Sequence, residues 1–332
     1  MLQGADIEKN KIKLSYIHVV LTVNCVLRCK MCFNWKNNEQ NEIESEHIKA
    51  AIIALYENNL LVNDMVTINF GGAEALLRKD TFDLIKVAAE RNLSTALCTS
   101  GYLYNAEVSK KIIDSGLKCI ALPLDSSDPK KHNYLRGVDG VFEKAMQIIQ
   151  EHPGKVALTC TISEYNIDEV CKIAEWVESN DNIAHLGFQA IVSPLGINWE
   201  GAPRREWINR SEFTHLWPKD MKKVKNNIDK LIKIRNKSRK IYTTEKHLNF
   251  FKGYFEDPFK ICRNAKCRVG DNAVTIMNKG DVVFCHDNEP LGNIRTEGII
   301  DILSGPKVAQ VKRKMLDCTQ VCEFFVNCFF EE

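Results

Sequence analysis

From residue 18 onward, short runs of β-branched and apolar residues alternate with longer stretches whose apolar positions recur every three or four residues. The first pattern predicts buried strands and the second amphipathic helices. HVVLTV (18–23) is the first predicted strand, and Ile48, Ala51, Ile52 and Leu55 mark one face of a helix over 45–58. The alternation continues with strand 65–70, helix 80–91, strand 94–99, helix 105–115 closed by Gly116, and strand 117–124. Helix 139–151 follows, stopped by Pro153-Gly154, then strand 155–162, helix 167–179 and strand 183–191. Six strands joined by helical crossovers predict an α/β fold with a parallel, right-handed sheet. The periodicity fits both an open doubly wound sheet and a partly closed barrel. In either, functional groups belong at the carboxyl ends of the strands.

The pattern stops near residue 193. A loop rich in Pro, Gly and Trp (193–210) precedes a charged helix expected over 211–237, and the remainder is short elements punctuated by cysteine. Val274–Asn278 and Val282–Cys285 read as a hairpin around Asn278-Lys279-Gly280. The expected organisation is an extension (1–17), a βα region (18–192), a linker with a bridging helix (193–254) and a cysteine-rich domain (255–332). So little periodic apolar content in the last segment calls for another source of cohesion, such as metal ligation.

Composition narrows the class. With 45% hydrophobic and 27% charged residues over 332 positions, the chain has the make-up of a folded enzyme-sized protein. A net charge of +2, with basic residues scattered except near 219–240, does not suit a nucleic-acid partner. No apolar run is long enough to span a membrane and the N-terminus lacks a secretory core, so a cytoplasmic location is expected.

Thirteen cysteines are distributed unevenly. Cys25, Cys29 and Cys32 form a C-x3-C-x2-C loop just after the first strand, and Cys262, Cys267, Cys285, Cys318, Cys322 and Cys328 crowd the C-terminal region. Thiolates bunched in this way hold metal more often than disulfides in a reducing compartment. Three on one loop suit a cubane iron–sulfur cluster with one iron left open; a zinc knuckle completed by a distant histidine is the alternative. Cys98, Cys119, Cys160 and Cys171 read first as small buried hydrophobes. Cys98 and Cys160 lie toward strand ends, where a thiol could give a hydrogen atom to a substrate radical.

The cysteine loop resembles that of the radical S-adenosylmethionine (SAM) superfamily, whose fold is a partial (βα)6 barrel. Asn69-Phe70-Gly71-Gly72-Ala73-Glu74-Ala75 is similar to the family's Gly-Gly-Glu-Pro segment, with Ala73 and Ala75 as departures. The resemblance implies that Gly71, Gly72, Ala73 and Glu74 receive the amino group of SAM, with Glu74 available as a negative partner, and that Met31 packs near adenine. Leu97–Tyr102, including Ser100, resembles the segment ending the third strand, and Thr159, Thr161 and Asn166 fall where the family places polar groups near ribose. Gln189 ends the sixth strand, facing adenine or substrate. Ala121–Ser127, His132, Leu135-Arg136-Gly137 and Phe142 resemble the subgroup with cysteine-rich tails; Asp125, at the end of the fourth strand, and Arg136 are the expected catalytic residues, with capping of the loop by Asp125 as the alternative.

The C-terminal cysteines resemble SPASM/twitch domains, which implies at least one auxiliary [4Fe–4S] cluster besides the [4Fe–4S] cluster that binds SAM. Such domains have seven or eight cysteines, against six here, so one complete cluster is expected, built on Cys262, Cys267 and Cys285 with a fourth ligand from Cys318, Cys322 or Cys328. A second cluster, or a structural zinc, remains an alternative. The implied chemistry is reductive cleavage of SAM and hydrogen abstraction from an unactivated carbon, with electrons from a flavodoxin or ferredoxin. The expected substrate is a ribosomal peptide, with a sugar or aminocyclitol as the alternative. The 24 residues before Cys25 leave little room for a separate peptide-recognition domain; Trp199, Trp207, Trp217, Arg204 and Arg205 would suit a groove for an acidic leader, with simple inter-domain packing of the aromatics as the other reading.

Overall fold

The computed structural model describes residues 13–61, 66–197, 204–263, 267–286, 288–318 and 326–327, and the side chains of 204–206 and 261–263 lie outside the description. Strands β1 (Tyr16–Thr22), β2 (Thr67–Gly72), β3 (Ser94–Cys98), β4 (Cys119–Pro123), β5 (Val156–Ile162) and β6 (Ile183–Ala190) lie side by side in chain order, every pair parallel. A doubly wound sheet would reverse its order at a switch point. Here the order never reverses, so the right-handed crossovers put all the helices on one face, and the sheet is a singly wound partial barrel.

The burial of alternate residues agrees. In β5, Val156, Leu158, Cys160 and Ile162 are buried beneath helices while Ala157, Thr159 and Thr161 are half-exposed on the other face. The crossover helices are α1 (Ser45–Glu57), α2 (Thr81–Ala89), α3 (Ala106–Asp114), α4 (Pro129–Arg136), α5 (Val141–Glu151) and α6 (Val170–Glu178). Helix α4 escapes the periodicity because its buried residues are His132, Asn133 and Leu135, a thin apolar stripe. Its caps were legible: Asp128 accepts from Lys131 N, Pro129 opens the first turn and Gly137 ends it.

Beyond β6 the structure departs from the expected linker. The predicted helix over 211–237 starts only at Met221, where Asp220 caps α7 (Met221–Arg235), and a further helix, α8 (Glu245–Glu256), packs against it. Residues 240–242 extend the sheet at β6, with Leu186 N donating to Lys240 O at 2.9 Å and Tyr242 N to Leu186 O at 3.1 Å. Trp207 is fully buried and Trp217 meets it edge-on at 5.7 Å, with Tyr254 and Phe255 also against its ring. Trp207 belongs to the core, and Trp217 packs partly buried against it beside Tyr254 and Phe255 of α8, so neither forms an open groove. Trp199 and the side chains of Arg204 and Arg205 lie outside the described residues.

The cysteine-rich segment is joined to the barrel. Strand β7 (Ala273–Ile276) pairs parallel with β1, with Tyr16 opposite Ala273 and His18 opposite Thr275. Antiparallel β8 (Asp281–Val283) and β9 (Gly292–Asn293) extend the same nine-stranded sheet. The hairpin around Asn278–Gly280 therefore forms on an existing strand. Helices α9 (Pro258–Arg263), α10 (Ile299–Ser304) and α11 (Pro306–Leu316) complete the description. Among the described residues no helix is long and apolar enough to cross a membrane.

Candidate active site

The loop that carries Cys25, Cys29 and Cys32 leaves the carboxyl end of β1 and is tied to three other parts of the barrel. Toward β2, Ala73 N donates to Thr22 O at 2.9 Å and Glu74 N to Asn24 O at 3.2 Å. Gly72 is required for this approach: its φ is +116°, and a Cβ would stand 2.3 Å from Thr22 O. Toward α4, Arg28 N donates to Arg136 O at 3.1 Å and Lys30 N to Leu135 O at 2.9 Å. Beyond β6, Phe33 N donates to Leu195 O at 2.7 Å. Three segments far apart in sequence thus share one site.

Glu74 has a different job from the one the resemblance implied. It is fully buried, and its carboxylate accepts from Thr99 Oγ1 at 2.6 Å, Ser100 N at 2.9 Å, Leu76 N at 3.2 Å and the Ser100 hydroxyl. The carboxylate is spent on bracing the loop after β2 against the end of β3, so it is not a free negative partner for an ammonium group. Ser100 is likewise committed, with both its backbone and hydroxyl donating to Glu74.

Asp125 and Arg136 also need correction. Asp125 is fully buried, its Oδ1 accepting from Thr161 N at 3.0 Å and its Oδ2 from Arg136 Nη2 at 2.5 Å. Both oxygens are engaged within the fold. The Arg136 charge acts on the Cys29 thiol, and the Arg136 Nε is buried with no hydrogen-bond partner. Asn166 is buried too: its amide donates to Asp125 O at 2.9 Å and Thr161 O at 2.8 Å, and its Oδ1 accepts from Ser163 N at 2.8 Å. A residue so engaged positions the ends of β4 and β5 and does not reach for a ribose.

Thr159, Thr161 and Gln189 are half-exposed on the face of the sheet away from the helices, with Thr161 directly opposite Gln189. Met31 packs partly buried against the core. Cys98 lies on the same open face as the threonines, whereas Cys160 is buried on the helix side, which removes Cys160 as a hydrogen-atom donor. The sequence reading missed a polar group here. Asn69 Nδ2 donates to Tyr16 Oη at 2.8 Å and lies 3.1 Å from His18 Nδ1, while Cys98 Sγ donates to Asn69 Oδ1 at 3.1 Å. Alternation within β1 and β2 was the available signal.

Burial pushes the three loop thiols up, Cys32 to about 12, and the Arg136 guanidinium opposes this at Cys29. Among the described residues no three His, Cys, Asp or Glu side chains are grouped as around a single metal ion. The donor set itself fits a cubane, in which each thiolate takes a separate iron. In the C-terminal region burial pushes the Cys267 thiol up, with smaller contributions in the same direction from the charges of Cys285 and Cys318. The side chain of Cys262, and Cys322 and Cys328 entirely, lie outside the described residues.

Residues 19–177 match the Radical SAM superfamily, and residues 267–329 match SPASM, an iron–sulfur cluster-binding domain. The chain belongs to the radical SAM superfamily. Radical SAM domains bind a [4Fe–4S] cluster and SAM, and the SPASM domain is an auxiliary iron–sulfur domain. This radical SAM protein is 29% identical over 177 residues to an Fe-coproporphyrin III synthase of Methanosarcina barkeri, covering 52% of this chain and 43% of that one. It is 34% identical over 131 residues to a GTP 3',8-cyclase of Nautilia profundicola, covering 37% and 39%. The chain spans half or less of the length of these curated relatives. The structure of SuiB from Streptococcus suis bound to S-adenosylmethionine has the same fold, with a TM-score of 0.67 at 17% identity over 99% of this chain and 77% of SuiB.

Proposed function

We propose that this radical SAM protein abstracts a hydrogen from an unactivated carbon of a ribosomal peptide, leading to oxidation, cross-linking or epimerisation. Bound SAM and its cluster supply the chemistry, a 5′-deoxyadenosyl radical made by one-electron cleavage. Cys25, Cys29 and Cys32 hold the cluster, and Gly71, Gly72 and Ala73 present backbone to the methionine end of SAM, a loop shape enforced by Glu74 on Thr99 and Ser100. Thr159, Thr161 and Gln189 offer polar groups to ribose and adenine from the open face. Met31 packs beside them. The proposed electron donor is a flavodoxin or ferredoxin.

One observation carries this reading: the cysteine loop is fastened at once to the loop after β2, to α4 and to the segment after β6, at the carboxyl ends of the strands. Enclosure of this kind keeps a reactive radical close to its target and away from water. For the peptide, the support is the SuiB fold, which covers nearly the whole chain, and SuiB has been seen bound to its precursor peptide SuiA. A sugar or aminocyclitol is the second reading, favoured by curated relatives named for small molecules. The test is a candidate peptide deuterated at the reacting carbon. Deuterium in 5′-deoxyadenosine supports the peptide, whereas label arriving only from a deuterated small molecule overturns it.

A further inference from the structure

Arg136 is the last residue of α4, and its side chain folds inward until only 12% of it is exposed. Three negative or potentially negative groups act on it: Asp125, Cys29 and Cys32. Its Nη2 is spent on Asp125 and its carbonyl accepts from Arg28 N of the cysteine loop at 3.1 Å, yet its Nε remains buried without a partner. An ion pair built only for stability would leave no orphan donor, because an unsatisfied buried N–H costs more than the bond it forgoes. Burial of one cation with one carboxylate is also a poor source of stability compared with apolar packing.

The arrangement has a different use once the three loop thiols are deprotonated and ligating. A cluster gains one negative charge on reduction, and a fixed cation beside its ligands stabilises the reduced form more than the oxidised. Asp125 acts in the opposite sense. It is held in place by Thr161 N and by its own carbonyl's bond from Asn166, so neither charge can relax away.

We propose that Arg136 is a positioning residue that sets the reduction potential of the cluster held by Cys25, Cys29 and Cys32, with Asp125 as its opposing charge. The inference rests on that loop holding an iron–sulfur cluster. It assigns to the pair a role in admitting the electron that starts the reaction, with no contact to substrate.

The test is a spectroscopically monitored redox titration of the anaerobic, iron-loaded protein, comparing wild type with Arg136→Gln and Asp125→Asn. Arg136→Gln should lower the reduction equilibrium constant about tenfold, a shift of 59 mV to more negative potential for a one-electron couple. Asp125→Asn should move the potential the other way. Both variants break the ion pair, so a purely structural role predicts shifts of the same sign or none, and either outcome overturns the proposal. Should Arg136→Gln fail to retain iron, Asp125→Asn decides alone, and a potential that is unchanged or more negative overturns it. Absence of iron at the loop in wild type would instead refute the cluster assignment itself.

Discussion

Gly137 lies so close to Arg28 that a Cβ added to it would stand 2.0 Å from the Arg28 carbonyl oxygen. The same glycine has φ +72° and ends α4, so its missing side chain serves both the helix cap and the seat of the cysteine loop. Gly137→Ala should displace the loop, reduce iron bound near Cys25, Cys29 and Cys32, and cost about 2 kcal/mol or more, since the left-handed conformation alone costs about 1–2 kcal/mol for a side chain. Gly140 is the control. Its φ is +87° but a Cβ there meets nothing within 4 Å, so Gly140→Ala should lose stability without losing iron. Iron analysis and thermal melts of the two variants check this.

Glu74→Gln replaces one acceptor oxygen with an amide group that faces donors. The Thr99 and Ser100 hydroxyls can turn, but Ser100 N cannot. A loss of about 1.5–3 kcal/mol is expected, the range for hydrogen bonds to a charged group. Because the loop after β2 is braced by this carboxylate, SAM affinity should fall several-fold as well. Calorimetric titration with SAM beside a denaturant melt would show whether the two effects travel together.

Acid should destabilise the protein through His132. Burial, with help from the Arg136 charge, lowers its pKa to about 4, so it stays neutral in the fold while its unfolded counterpart titrates near 6.5. The stability this confers is present above pH 6.5 and is lost as the pH falls from there toward 4. By pH 5 the loss should be about 2 kcal/mol. His132→Gln retains an acceptor for Asp125 N but has no proton to take up, so its stability should fall less between pH 7.5 and 5. Denaturant unfolding of both proteins at the two pH values measures the difference.

With Cys318 proposed as the fourth ligand beside Cys262, Cys267 and Cys285, Cys318→Ser should remove the auxiliary cluster and leave the N-terminal one, a loss of about four irons per chain. Deleting residues 255–332 is a poorer probe. It strips β7 from β1 and turns a central strand into an open edge, so aggregation is expected in place of a clean catalytic defect. Iron content, cluster spectra and size-exclusion profiles distinguish the two variants.

How far the sequence reaches is clearest at particular residues. The helix over 45–58 is Ser45–Glu57 in the fold, and the strand expected over 155–162 is Val156–Ile162, because a one-sided apolar stripe and a period of two are local properties. The cysteine loops were legible for the same reason: ligand spacing along one turn of chain is a local signal. Glu74, Asp125 and Asn166 were singled out by position, and the fold gives each of them internal partners. Sequence places a polar residue at a strand end, but its partners come from other strands, and only those partners show that each is satisfied internally.

By itself, then, the sequence determined the six parallel βα units, the places where cysteine could hold metal and the chemistry those cysteines support. Tertiary structure decided that the sheet is singly wound, because strand order is a relation between segments that share no local pattern. It likewise decided that the cysteine-rich segment grows from β1 through β7, since pairing across some 250 residues depends on which edge is left open when the barrel forms. Packing alone turned Arg136 inward onto the buried Asp125 while its carbonyl receives the Arg28 amide of the cysteine loop.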